Sequence, residues 1–538
     1  MKKYIAPLSI LTLAIIFFSI RVIFLKPRIL VYPDKPDFLH FEFVKINLKI
    51  QPHDSILKNQ LGDEVSMYVV KYDSITKVES EPVVTIGSKK LFLLKYNPES
   101  RSYSVNWPVP WNAENCTYKP VIKFPDKIRQ NRKIKIICSS FNIKNRKPPS
   151  IYRLTGLSCL GVLTFENINP IDGLSMKKPD DSITDWRGLV DWAKFVNANA
   201  FWMLGGSTIY YDKKLKEEFP WIEYNLGKLG KVGREFHKNN IKFGVWAVGY
   251  LTFGNQVHAP KKYKYAVSYE NGKLETTRSI SLLDENRIAD LINFYKKLDK
   301  IPEIDFYGID YIRNALGGYE LVDEFIKDME IPVPEKFRGK SFSGRMIWLA
   351  RKKVERKDKP FIDQWQWWRA HKSASNVYRI IKGANIKKPF FAYTLSWDKG
   401  WQHGQDPIMM SDAGVDIDAI MLYECDRAQY EGLVKKWNDY KIKHWQSNII
   451  AGDVVDWPLH QFTTNPTGPQ ELYYRTITAV KKFYCDEPLK GVFIHDLSRA
   501  LWGRTGQYSG KDWLLAGKEA INTMVQLNTA RRKKGKMK

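Results

Sequence analysis

Two rhythms of hydrophobic and polar positions divide the chain. Over residues 33–149, short segments at 41–50, 64–71, 89–94, 103–107, 117–124 and 133–138 alternate apolar and polar residues and are separated by turn-rich pieces. Period two is the mark of a half-buried strand, and helical spacing is absent, so this stretch predicts an all-β domain. From residue 161 the grammar changes. Continuous apolar runs at 161–165, 200–204, 242–248, 306–310, 389–395, 418–423, 448–454 and 491–494 alternate with amphipathic stretches, among them 186–196, 226–239, 285–298, 367–381, 430–439 and 473–483. Eight buried strands with helices between them predict a (β/α)8 (TIM) barrel over residues 155–528. A doubly wound open sheet is the rival, but where it needs a glycine-rich phosphate loop after the first strand, Thr164-Phe-Glu-Asn-Ile-Asn169 stands instead.

Three flanking segments complete the organisation into a multidomain chain. The apolar run 4–20, after Lys2 and Lys3, is about the shortest that spans a bilayer as a helix, and no small-x-small cleavage site follows it. Residues 1–29 therefore predict an uncleaved signal anchor, a transmembrane helix. Lys2 and Lys3 face Arg21, Lys26 and Arg28 across the run, so charge alone scarcely orients it. The expected orientation, with the bulk outside the cytoplasm, follows from the function argued below. Lys144-Asn-Arg-Lys-Pro-Pro-Ser150 reads as a linker, and residues 529–538, Arg- and Lys-rich, as a disordered basic tail suited to an anionic surface polymer or lipid.

Composition adds limits. With 538 residues and 44% hydrophobic positions the chain is globular and too long for a single ordinary core. Its formal charge of +27 invites a polyanion, but the lysines are scattered and no zinc-ligand spacing or RNA-binding signature accompanies them, so nucleic acid is not expected. Cys116, Cys138, Cys159, Cys425 and Cys485 are too few and too irregular for a disulfide framework, although Cys116 and Cys138 could pair within the first domain. Asn115-Cys-Thr117 fits a glycosylation sequon.

In a barrel of this kind, chemistry collects where strands end. Glu166 follows the first run and Tyr250 the third. Asp310 and Arg313 end the fourth, Trp397, Asp398, Trp401 and His403 follow the fifth, and Tyr423 and Glu424 end the sixth. Asp453 and Trp457 belong to the seventh, His495 and Asp496 to the eighth. Paired acids flanking a scissile bond, with aromatic faces for pyranose rings, are what a sugar site requires. Isolated histidines without His-x-His or His-Glu-x-x-His spacing do not suggest a metal, no Gly-x-Ser-x-Gly elbow is present, and no cofactor is expected.

A family resemblance rests on three short motifs. Asp310-Tyr-Ile-Arg313, Trp365-Gln-Trp-Trp368-Arg369 opening a long helix, and Asp418-Ala-Ile-Met-Leu-Tyr423-Glu424 occur in the order and spacing of the glycoside-hydrolase-like family 10 barrels. The chain departs from them in continuing Arg313 with Asn314-Ala-Leu rather than an aromatic and Pro, and in its Trp-rich stretch after the fifth run. Residues 103–118 similarly resemble the late strands of bacterial immunoglobulin-like domains, which implies a β-sandwich used as a spacer. The barrel resemblance implies a membrane-anchored glycoside hydrolase outside the cytoplasm, acting on a cell-surface or extracellular polysaccharide. Asp310 would be the nucleophile and Glu424 the general acid/base. Asp453 and Asp496 are the reserve carboxylates, Asp496 in the role of orienting His495 or a sugar hydroxyl. A non-catalytic glycan-binding or structural subunit that keeps the groove is the alternative, separated from the enzyme by whether Asp310 and Glu424 share an open cleft.

Overall fold

The computed structural model describes residues 27–39, 42–86, 89–110, 113–144, 159–166, 170–205, 210–212, 217–219, 223–250, 262–313, 317–395, 403–422, 427–444, 448–455, 467–483, 490–503 and 505–536. These fall into two compact units. One comprises residues 1–145 with 326–332, and the other residues 146–325 with 333–538.

In the first unit nine strands join edge to edge in one hydrogen-bonded ladder. Its order is Asp37–Phe38, Phe141–Ile143, Thr117–Ile122, Glu64–Lys71, Phe92–Asn97, Ser102–Pro108, Phe43–Gln51, Arg28–Pro33, Lys135–Cys138. The period-two pattern does what it predicts: along Phe43–Gln51 the residues Val44, Ile46, Leu48 and Ile50 turn inward while their neighbours face outward. The ladder curls until its halves face one another. Trp107 packs edge-on to Phe141 at 5.8 Å, and the Cys138 thiol donates to the Pro120 carbonyl at 2.8 Å. The sheet is thus continuous, where the immunoglobulin resemblance implies two separate ones. Cys116 and Cys138 are both free thiols, so the pairing that their spacing allowed is not made. Residues 326–332, which the sequence assigns to the barrel, group with this unit, where the Lys89 ammonium donates to the carbonyls of Met329 and Glu330 at 3.4 and 3.3 Å.

The second unit is a closed barrel of eight parallel strands, here β1 (Cys159–Phe165), β2 (Ala200–Leu204), β3 (Lys242–Val248), β4 (Phe306–Asp310), β5 (Phe390–Leu395), β6 (Ile417–Met421), β7 (Asn448–Val454) and β8 (Lys490–His495). Each expected run is a strand, to within two residues at either end. The interior is filled by matching the largest side chains to glycine across neighbouring strands. Trp202 stands in register with Gly244, Phe391 with Gly308, and Phe493 with Gly452. A Cβ at Gly308 would lie 2.1 Å from the Phe391 ring and one at Gly452 2.3 Å from the Phe493 ring, so only glycine lets these rings cross the axis. Trp202 then stacks on Phe391 with centroids 3.7 Å apart, and Tyr393 meets both Trp246 and Phe493 edge-on at 5.5 Å. The result is a solid aromatic plug that leaves only the strand ends free to hold polar groups.

Helices cover the outside, including Glu285–Leu298, Lys359–Ala384 and Pro469–Phe483. The last helix runs from Gly510 to Lys536, so the basic tail expected to be disordered from residue 529 continues as helix almost to the terminus. The apolar run at 4–20 and the anchor predicted over residues 1–29 lie almost wholly outside the described residues. Among the described residues no helix is long and apolar enough to cross a membrane.

Candidate active site

Strand parity decides which side chains reach the barrel mouth. On β1 the inward positions Leu160, Val162 and Thr164 lead to Glu166, on β4 Phe306 and Gly308 lead to Asp310, and on β8 Phe493 leads to His495. Glu166, Asp310 and His495 therefore converge on one end of the plug, with Asp496 one residue beyond β8. Asp310 is only 7% exposed and Asp496 wholly buried.

The hydrogen bonds separate the roles of the three carboxyl groups. Asp496 is the most fully hydrogen-bonded of the three, although burial still pushes its carboxyl upward. It accepts the Glu166 amide at 2.7 Å, the Ser498 hydroxyl at 2.8 Å and the Arg499 amide at 3.0 Å, capping the short helix Leu497–Trp502, and the Arg499 guanidinium lies 3.9 Å away. Asp310 accepts the Tyr311 amide at 2.6 Å and, among the described residues, makes no ion pair. Burial pushes its carboxyl up to about 7 against the pull of the Tyr311 amide and the Arg313 charge. Glu166 is pushed up to about 8, first by burial and then by the nearby charges of Asp496 and Asp310, with Arg499 opposing. His495, held well below the usual histidine range by burial, lies 3.2 Å from the Thr164 hydroxyl and 3.6 Å from Glu166 Oε2. At neutral pH neither Glu166 nor His495 is charged, so their contact is a neutral one despite its resemblance to an ion pair.

Tyr311 shapes this mouth. Its φ of +46° places a non-glycine residue in the left-handed region at the end of β4. Its carbonyl accepts the Tyr250 amide at 2.7 Å, and the Asp310 carbonyl accepts the Gly249 amide at 2.7 Å. Because the strand ends at Asp310 and the chain turns at Tyr311, strand alternation does not carry Arg313 to the opposite face. Its charge acts on Asp310. Tyr393 supplies a floor group: its hydroxyl is fully buried, has no hydrogen-bond partner among the described residues, and feels the charges of Asp310, Glu166 and Asp496. Nearby at the rim, Trp502 is 49% exposed, its ring 5.8 Å from Phe165.

Other expected residues lie elsewhere. Tyr250 is wholly buried, and the groups that act on its hydroxyl are Arg287, Asn376, Arg379 and Asp284, all on the helix side of the wall. It is core rather than substrate contact. Asp453 has the outward parity of Ile449 and Ala451, and its carboxylate meets Arg475 of the helix Pro469–Phe483 at 2.8 Å with both side chains buried. A structural ion pair behind the barrel wall takes it out of the site. Asp496 orients the Glu166 backbone, not His495. His403 sits among Arg313, Arg369 and Lys353, whose charges together with burial bring it down to about 4. Trp397, Asp398, Trp401, Tyr423, Glu424 and Trp457 lie outside the described residues. No group of three or more His, Cys, Asp or Glu able to hold a metal occurs among the described residues. Sequence reasoning missed Tyr311 and Tyr393, although the alternation Phe391, Tyr393, Leu395 already placed Tyr393 on the inward face.

No family model matches the chain, and no curated protein matches it. Solved structures with some similarity include Bifidobacterium dentium beta-glucuronidase complexed with coumarin-3-O-glucuronide (8% identity over 92% of this chain and 67% of that one, TM-score 0.31). Others are the catalytic module of a glycogen-degrading pneumococcal virulence factor (10%, 85% and 68%, TM-score 0.34) and a Paenibacillus cycloisomaltooligosaccharide glucanotransferase (10%, 79% and 53%, TM-score 0.29). The chain spans about half the length of the last. At these TM-scores the likenesses assign neither substrate nor site residues, and the barrel rests on its own strand order. The family 10 resemblance rests on the sequence motifs alone.

Proposed function

We propose that the protein is a glycoside hydrolase acting on a polysaccharide at the C-terminal mouth of its barrel. The observation that carries this reading is the trio Glu166, Asp310 and Asp496, three carboxyl groups within electrostatic reach of one another above an aromatic plug. Glycosidic cleavage needs one carboxyl that holds a proton at working pH and one that can lose it. Glu166, pushed up further than Asp310, is the proton donor to the leaving oxygen. Asp310 is the carboxylate that attacks the anomeric carbon or activates water. Burial raises its affinity for the proton by more than Arg313 and the Tyr311 amide lower it, so its working form is reached only near neutrality. Asp496, whose own carboxyl burial pushes upward against the pull of Arg499 and its hydrogen bonds, fixes the Glu166 backbone, and in its ionised form its charge favours the proton on Glu166. Tyr393 offers its buried hydroxyl to the ring or to Asp310.

Glu424 keeps its place as a second candidate for acid/base on the strength of the family resemblance. A membrane anchor over residues 1–29, with the barrel outside the cytoplasm, completes the proposal and rests on the apolar run alone. The test is a screen of the chain from about residue 30 against neutral, anionic and amino-sugar polysaccharides, reading reducing ends released. Asp310→Asn and Glu166→Gln should each lower the rate by about 10²–10⁴-fold. Equal behaviour of wild type and both variants on every polymer would remove the enzyme and leave a glycan-binding barrel.

A further inference from the structure

The short helix Leu497–Trp502 ends on a side chain that the cleavage chemistry does not use. Trp502 is 49% exposed, whereas every other tryptophan among the described residues is buried. Leaving so large an apolar ring half in water forgoes the burial that the other indoles obtain. Its place in the barrel says what the open face can receive.

Trp502 is tied to Glu166 from two directions. Its ring packs against Phe165, the residue before Glu166, with centroids 5.8 Å apart and an interplanar angle of 59°. At the start of the helix, the Asp496 carboxylate accepts the Arg499 amide at 3.0 Å and the Glu166 amide at 2.7 Å. One carboxylate thus joins the residue that carries the proton to the helix that carries the indole. Arg499 shows which way that helix faces. Residues three apart share a helix face, so Arg499 and Trp502 look the same way, and the Arg499 charge acts on Glu166, Tyr311 and His495 at the mouth. A partly exposed guanidinium and a half-exposed indole therefore stand together on the rim beside Glu166.

An apolar ring face next to a fork of hydrogen-bond donors is the complement of a pyranose, which has an apolar face of C–H groups and a rim of hydroxyls. A protein partner would need roughly 800 Å² of surface, and on this helix Leu497 and Ala500 are buried, so the ring does not extend into an apolar patch. Because packing on Phe165 already fixes the indole, little side-chain freedom is lost when a sugar covers it. We propose that Trp502, with Arg499 beside it, is a subsite that stacks one pyranose unit of the polysaccharide next to the bond presented to Glu166. The inference rests on the hydrolase reading and adds to it a place where the polymer is held.

Binding is measured by titration calorimetry on the full chain carrying Asp310→Asn, so that no turnover intervenes. The ligands are the disaccharide and hexasaccharide fragments of cellulose, starch, chitin and pectate, with acrylamide quenching of tryptophan fluorescence read on the same samples. At least one hexasaccharide should bind and shield an exposed tryptophan from the quencher. Trp502→Leu should remove that shielding and weaken the hexasaccharide about tenfold, a larger loss than the disaccharide suffers. Trp502→Phe keeps a ring and should retain most of the affinity. Both replacements keep apolar bulk at a half-exposed helix end, so a merely structural role would move them together. No binding of any hexasaccharide, an affinity untouched by Trp502→Leu, or equal losses in the Leu and Phe variants would overturn the proposal. Hydrolysis that needs Asp310 and Glu166 but is indifferent to Trp502→Leu on long and short substrates alike would overturn it and leave the hydrolase standing. Trp502-dependent binding without hydrolysis of any polymer would keep the subsite and remove the hydrolase.

Discussion

Glu166 and Asp310 lie within electrostatic reach of one another and are held to protons by the same burial, yet the proposed chemistry asks opposite things of them. With Asp310 pushed up to about 7 and Glu166 to about 8, the productive pairing of an ionised Asp310 and a protonated Glu166 is the major form only in the narrow window between. The rate should therefore follow a bell about one to two pH units wide centred between those values, and kcat/KM against pH measures it for the free enzyme. Replacing Asp496 by Asn removes the charge that helps keep Glu166 protonated, so the alkaline limb should move to lower pH. A structural loss alone would lower the whole curve without moving the limb. At this scale the sequence was half legible. Asp310, Glu166 and His495 sit at strand ends, and strand-end position alone pointed to them. Asp453 sits one step from a strand end too, but its parity turns it outward to Arg475, and parity cannot be assigned until the strand's inward glycine is known. Tyr250 failed for another reason: its amide donates to the Tyr311 carbonyl and its carbonyl accepts the Ile280 amide, while its ring belongs to the helical layer.

At the scale of elements, the barrel depends on glycine facing an aromatic ring across each of three strand pairs. Gly308→Ala should place a methyl group against the Phe391 ring, which is itself packed in the barrel interior, and destabilise the protein by roughly 1–3 kcal/mol or more. Phe391→Leu should recover part of that loss in the double variant although it leaves a cavity when made alone. Denaturant unfolding of the two singles and the double, read as a cycle, checks the coupling. The pair Asp453 and Arg475 gives a second prediction. Arg475→Met leaves a buried carboxylate without its partner and should cost about 3–5 kcal/mol, whereas the joint change to Met with Asp453→Leu should cost much less. Activity per folded molecule should be unchanged in both, because neither residue faces the mouth. The runs that became strands were legible because a parallel strand buried on both faces reads as unbroken apolar sequence. The glycines inside them were equally visible, but their meaning as receptors for the next strand's aromatic required the register.

For the molecule as a whole, the two-unit division was legible from the change in period near residue 150. The attachment of residues 326–332 to the first unit was not, because the last residues of the short helix Val322–Asp328 and the turn after it are too few to carry a period. The buried carboxyl groups leave a signature on overall stability that tests their surroundings without any substrate. In the unfolded chain Asp310 and Glu166 lose their protons near pH 4, but in the folded protein they keep them to about 7 and about 8. Across that interval the folded state binds more protons than the unfolded one, so stability falls as pH rises. The contribution is largest below about pH 4, where both states are protonated, and levels off once the folded groups have ionised. Buried histidines such as His371, held down to about 4, tilt the curve the other way, so the wild-type profile mixes both slopes. The double variant Asp310→Asn, Glu166→Gln isolates the carboxyl part: near pH 5 its Tm should lie close to that of wild type, and near pH 8.5 it should lie several degrees above, because the amides have no charge to bury. Calorimetric Tm values at the two pH extremes decide it. A difference that does not grow with pH would mean that the two carboxyl groups are solvated in the folded protein, and the proton-holding role of Glu166 would fall with that result.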